Sequence, residues 1–219
     1  MTSWLQARNL SSIRQNRTLF AELDFDINKG DLIQIKGVNG SGKSTLVRYL
    51  AGVGQTVEGD INVSAKLALY DGNVDRAKVL YLGHLPAIST RLTVLENLRF
   101  LAQKSGLPFD DQSLFSALKQ VDLIKFIDQS AMALSAGQKR RIGLARLYLE
   151  QTQITLWLLD EPFTALDLEG VAKLETQIDR FIKQGGAVVL ITHHYFEHPL
   201  LKVIQLGHQS QEAFYVDDL

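Results

Sequence analysis

Cysteine is absent from all 219 residues. A disulfide framework and a thiolate metal site are thereby excluded, and a reducing compartment suits the chain. Long apolar runs are missing too. No stretch reaches the roughly 18 residues that a membrane-crossing helix needs, so another subunit is expected to hold the chain at any membrane where it works. The first ten residues carry no apolar run that reads as a signal peptide. Surplus charge is also lacking: 23 basic and 24 acidic residues leave a formal −1, without the basic excess typical of nucleic-acid binders. Internal repeats and low-complexity linkers do not occur. What remains is a chain with 46% hydrophobic and 21% charged residues, ordinary for a globular protein with one large domain or two small lobes.

The chain's organisation follows from its periodicities. Residues 32–35 read as a short strand running into a Gly-rich turn, and residues 44–50 as the start of a helix. Residues 60–63 and 67–70 alternate as antiparallel strands do, and 79–82 are an apolar run that suits a buried strand. Three helical patterns follow at about 94–105, 111–121 and 138–149, with Thr93 and Glu96 spaced as a capping box. Residues 155–159 and 187–191 read as further buried strands, separated by an amphipathic helix over 169–184 that Gly185-Gly186 stops. Residues 203–206 and 213–216 read as a terminal hairpin. Strands alternating with helices predict an α/β fold with a largely parallel sheet covered on both faces, and the helical middle an inserted lobe.

Gly37-Val38-Asn39-Gly40-Ser41-Gly42-Lys43-Ser44 matches the P-loop pattern in full. Glycines let the backbone turn tightly enough for successive N–H groups to face one phosphate, and the helix that follows adds its positive end. Lys43 is expected to reach the β- and γ-phosphates and the Ser44 hydroxyl to ligate Mg²⁺, with Thr45 next in the phosphate-binding set. A plain strand-to-helix turn is the alternative that the complete match argues against. Leu156-Trp157-Leu158-Leu159-Asp160-Glu161 places two carboxylates at the end of an apolar strand, where α/β proteins bind ligands. Asp160 is the expected Mg²⁺ holder and Glu161 the general base for water; taken alone, the same acids also suit a helix cap. Leu134-Ser135-Ala136-Gly137-Gln138 precedes the basic run Lys139-Arg140-Arg141. Ser135 and the Gly137 backbone form an anion site at a helix tip or, alternatively, an ordinary cap, and the basic run also suits a merely solvated face.

These three motifs, in this order and spacing, resemble ABC ATPases over essentially the whole chain. Leu134 to Gln138 is similar to that family's signature, with Ala136 for its first glycine. The resemblance implies a P-loop NTPase (RecA-like) core at about 1–84 and 151–219, an antiparallel β subdomain and a helical subdomain at about 85–150. It implies a head-to-tail homodimer in which each of two ATP molecules touches one subunit's P-loop and the Ser135, Gly137 and Gln138 segment of the other. Ala165-Leu166-Asp167 resembles the D-loop at the dimer seam, and His193 after Thr192 the switch histidine that meets the γ-phosphate. Two departures stand out. Leu85 occupies the position of the family's Gln, and an apolar side chain neither ligates Mg²⁺ nor orients water, so the expectation is impaired turnover or coupling with ATP binding intact; His84 is the neighbouring candidate to substitute. Arg14 stands near the family's adenine-stacking aromatic, where its planar guanidinium either stacks on the base or is simply exposed.

The run Tyr81-Leu82-Gly83-His84-Leu85-Pro86, with Glu96-Asn97-Leu98 and Asp160-Glu161-Pro162-Phe163-Thr164, looks like the haem-exporter ATPases of bacterial cytochrome c maturation. That resemblance implies a peripheral subunit on the cytoplasmic face of the inner membrane, bound to integral membrane permease subunits, whose ATP hydrolysis moves haem or releases a haem chaperone. No haem-binding motif is present, so no direct haem binding is expected. Rival readings are a soluble ABC protein acting on nucleic acid or ribosomes, a non-catalytic nucleotide-binding module, and a P-loop kinase. Against the first, this chain shows neither long coiled coils nor two tandem cassettes and has no basic surplus; the second rests on Leu85 alone, and the signature-like segment argues against the third.

Overall fold

The computed structural model describes residues 4–14, 17–53, 58–63, 79–151, 154–195 and 197–207. Its centre is a five-stranded, wholly parallel sheet. The strands are β3 (Leu32–Gly37), β5 (Val79–Leu82), β6 (Leu156–Asp160), β7 (Ala187–Ile191) and β8 (Leu201–Leu206), in the order β5-β6-β7-β3-β8. Period-two alternation splits their side chains between two cores. Trp157, Leu159, Val188 and Leu190 face the helices α2 (Val94–Lys104), α3 (Asp111–Gln120), α4 (Ala136–Ala145) and α5 (Leu168–Lys183). Leu156, Leu158, Val189 and Ile191 face α1 (Lys43–Leu50) and a second sheet. The buried strands of continuous apolar sequence are thus those of a doubly covered parallel sheet, as the sequence implies.

The second sheet is antiparallel: β2 (Arg17–Ile27), β1 (Leu5–Arg14) and β4 (Glu58–Val63), in that order. Sequence patterning finds only β4 of these three. The reason is visible in the backbone. Leu5 and Ala7 are buried in alternation, then the phase slips to Leu10 and Ser12 across Asn9, which sits at φ 51°. Opposite it, β2 slips between Phe20 and Leu23 across Glu22, also at φ 51°. These irregularities interrupt the period of two on which a strand is read. They are held by Asp24 Oδ1, which accepts from the Asn9 N–H at 2.6 Å, and Ser11 Oγ, which accepts from the Glu22 N–H at 3.0 Å.

The helices follow their sequence signals closely. Thr93 caps α2 in a reciprocal box with Glu96. α4 begins at Ala136, two residues before the amphipathic pattern, because Ser135 caps it; its last turn, Arg146–Tyr148, tightens to 3₁₀. The expected strand at 67–70 and the second limb of the terminal hairpin at 213–216 lie outside the described residues. The hairpin's first limb is β8, whose described pairing is parallel, against β3. Among the described residues, no helix is long and apolar enough to cross a membrane.

Candidate nucleotide site

The carboxyl ends of β3, β5, β6 and β7 lie side by side, and the motif residues leave the sheet there. The turn after β3 needs glycine for stated reasons. A Cβ on Gly37 would meet the Leu206 carbonyl oxygen and Ser41 Oγ, each at 2.6 Å. Gly42, at φ 95°, caps α1 where a Cβ would meet Phe20 Cδ1 at 2.9 Å. Between these two, Val38, Asn39, Gly40 and Ser41 complete the loop. Ser41 Oγ is buried and has no hydrogen-bond partner among the described residues. Lys43 folds back over the loop, its Nζ donating to the carbonyls of Gly37 at 2.7 Å and Val38 at 3.1 Å.

β6 ends in Asp160, which is 3% exposed, and the chain then turns sharply at Glu161, where φ is 53°. Glu161 N–H donates to the Ile191 carbonyl at 2.8 Å, which ties this corner to the end of β7. His193 lies just beyond β7, with Nε2 3.6 Å from Glu161 Oε1. The segment before it is held from below: Gln34, buried inside β3, donates through Nε2 to the Thr192 carbonyl at 3.1 Å. A polar residue in the otherwise apolar run 32–35 was the available signal for that role.

A cleft of about 580 Å³ joins these parts. Asn39, Gly40, Gly42, Lys43, Ser44 and Thr45 form one wall; Asp160, Glu161 and His193 line it from the adjacent strands. Arg14, at the end of β1, His84, after β5, and Thr164, after β6, also line it, as do Leu19 and Ile191, which carry no motif signal. Leu85 is not among the lining residues and is 76% exposed. The arrangement fits a magnesium–polyphosphate. A glycine cradle with an unpartnered hydroxyl and a lysine faces a carboxylate–hydroxyl pair, Asp160 and Ser44. Among the described residues no group of three acidic or imidazole ligands exists, so a cation here depends on phosphate oxygens and water as well, as Mg²⁺ sites of this kind do.

Residues 20–164 match the family model described as ABC transporter. The chain belongs to the ABC transporter ATP-binding family. This ABC subunit is 42% identical over 205 residues to a Vibrio cholerae protein named cytochrome c biogenesis ATP-binding export protein CcmA, covering 93% of this chain and 98% of that one. It is 44% identical over 197 residues to a Pseudomonas putida protein of the same name, covering 90% and 92%. The fold is also that of a solved ATP-binding subunit of an ABC transporter, with a TM-score of 0.77 at 24% identity over 94% of this chain and 86% of that one. A dimeric ATP-binding cassette bound to ADP and phosphate superposes with a TM-score of 0.74 at 21% identity, over 92% and 94%. The ABC subunit binds and hydrolyses ATP.

The signature segment lies apart from the cleft in the same subunit. Ser135 Oγ accepts from the Gln138 N–H at 3.1 Å and Gln138 Oε1 accepts from the Ser135 N–H at 2.8 Å, a complete capping box. Gly137 abuts the D-loop: a Cβ there would meet Ala165 Cβ at 3.1 Å. Asp167 caps α5 by accepting from the Gly170 N–H at 2.8 Å. Of the basic run, Arg140 is not a solvated residue. It is 7% exposed and reaches three backbone carbonyls, of His84, Asp160 and Glu161. Burial pushes its pKa down, against the pull of the Asp160 and Glu161 carboxylates. Arg146 is also buried, its pKa pushed down to about 10 by desolvation, and bonds the Tyr81 and Gly143 carbonyls.

Proposed function

We propose that the subunit works as one of two identical copies that close head to tail on two ATP molecules at the cytoplasmic face of the inner membrane, where they bind integral permease subunits. It drives an export step of cytochrome c biogenesis, moving haem or releasing a haem chaperone. The observation that carries the chemistry is the single cleft in which the glycine turn, Lys43, Asp160, Glu161 and His193 converge from three neighbouring strands. The names of the relatives support the pathway, and the chain's −1 charge gives no support to nucleic acid as a partner.

We infer the following roles, which the shared cleft and the motif resemblance support. Residues Gly37–Thr45 receive the phosphates on backbone N–H groups at the start of α1, and Lys43 exchanges its two carbonyl contacts for β- and γ-phosphate oxygens. Ser44 and Asp160 hold Mg²⁺, which when bound neutralises phosphate charge. Glu161 takes a proton from water as its oxygen attacks the γ-phosphorus, while the bond to the bridging oxygen breaks and ADP departs. His193, beside that carboxylate, steadies the γ-phosphate. Arg14 meets the base. Ser135, Gly137 and Gln138 reach the γ-phosphate of the partner subunit's nucleotide, with Asp167 along the seam. The core at about 1–84 and 151–219 and the helical lobe at about 85–150 then move against each other to signal the membrane subunits.

Phosphate release from ATP by the purified chain, with and without Glu161→Gln, tests this reading. Magnesium-dependent hydrolysis lowered by about 10²–10⁴-fold in the variant, with nucleotide still bound, is the expected result. Hydrolysis that persists undiminished in the variant overturns the assigned base.

A further inference from the structure

Two features of the cleft remain without a cause in the motifs. Glu161 occupies a left-handed conformation, which is strained for a non-glycine residue and persists only where surroundings enforce it. The segment after β5 also keeps the Leu85 side chain out of the cleft: it is exposed to solvent, while its neighbour His84 lines the cleft.

Arg140 touches both. It sits on α4, two residues after the capping box that forms the signature tip. One terminal nitrogen donates to the His84 carbonyl. The other donates to the Asp160 carbonyl at 2.6 Å and to the Glu161 carbonyl. The Glu161 backbone is therefore gripped at both ends: its N–H by the Ile191 carbonyl of β7, its C=O by Arg140. The same guanidinium pins the residue that presents His84 to the cleft. A planar cation with forked donors spans three carbonyls from two segments; an ammonium on a flexible stem does not reproduce that geometry. Its Nε has no partner among the described residues, so burial of this side chain is compensated through its two terminal nitrogens.

We propose that Arg140 is a positioning residue for hydrolysis, locking the signature helix, the Glu161 corner and the His84 segment into one rigid unit. Resting on the reading of Glu161 as the base, this means that a subunit whose signature tip is engaged by its twin's nucleotide has its own Glu161 held in register.

The test uses the full chain with Arg140→Lys and Arg140→Gln, each alone and combined with Glu161→Gln. A misplaced base lowers kcat by about ten- to a hundredfold while the phosphate cradle, which Arg140 does not touch, keeps KM and nucleotide affinity within about twofold. In the Glu161→Gln background, where no base remains to be aligned, the Arg140 substitutions are expected to leave the residual rate unchanged; such non-additivity marks two residues acting as a unit. A general structural defect gives instead equal losses in both backgrounds and overturns the proposal, as does an Arg140→Lys protein with normal kcat. Should Arg140→Gln fail to fold, the lysine variant alone decides. If Glu161→Gln by itself hydrolyses normally, the assigned base is wrong; if it is inactive while Arg140→Lys is fully active, only the positioning role is.

Discussion

His193 engages both oxygens of the Glu161 carboxylate. Its ring Nε2 lies 3.6 Å from Oε1 and its backbone N–H donates to Oε2 at 3.4 Å. Both contacts are long, as expected before a phosphate and a water draw the groups together. Their arrangement aims a carboxylate from the end of β6 and an imidazole from the end of β7 at one point in the cleft. Loss of the base by Glu161→Gln should lower hydrolysis by about 10²–10⁴-fold. His193→Ala should lower the rate with ATP affinity little changed. Single-turnover phosphate release alongside fluorescent-nucleotide binding reads both.

Lys43 spends its charge on the Gly37 and Val38 carbonyls. Lys43→Ala removes charge-assisted bonds worth about 1.5–3 kcal/mol in the bound state, so ATP affinity should fall about ten- to a hundredfold. Equilibrium dialysis with ATP checks it; unaltered affinity removes Lys43 from the site.

Leu85 is solvent-facing, at the position where the sequence resemblance implies a Gln. Leu85→Gln should raise steady-state hydrolysis several-fold, by about 1 kcal/mol of barrier. An unchanged rate means that the missing amide limits nothing in this chain.

Ser135 and Gln138 form a closed capping box and do not line the cleft of their own subunit. Ser135→Arg should therefore leave ATP binding by the isolated chain intact while preventing ATP-dependent dimers of the Glu161→Gln protein. Light scattering after gel filtration distinguishes the two; dimers of normal abundance contradict the head-to-tail arrangement.

Trp157 is fully buried in β6 and stacks on Phe181 of α5 with ring centroids 4.0 Å apart. Trp157→Ala should cost about 3–5 kcal/mol of stability through lost burial and a cavity. Urea denaturation followed by circular dichroism measures it, and a loss below about 1 kcal/mol shows that the core collapses around the gap.

Much of the architecture was legible because its signals are local. The apolar runs that became β3, β5, β6 and β7 can be buried on both faces only in a covered parallel sheet, and Thr93 with Glu96 contains all the atoms of its own capping box. The strands β1 and β2 were not legible, since their phase slips at Asn9 and Glu22 are stabilised by Asp24 and Ser11 from the opposite strand. Arg140 escaped for a related reason: in sequence it is one of three basic neighbours, and nothing local distinguishes it from Arg141.

By itself the sequence determined the phosphate cradle, because glycines at 37 and 42 and a helix starting at Lys43 set backbone directions within a single turn. Only the tertiary structure decided which side chains share the cleft with it. Asp160, His193 and His84 come from separate strands brought abreast by sheet order, and a buried guanidinium must find its carbonyls wherever the packed chain places them.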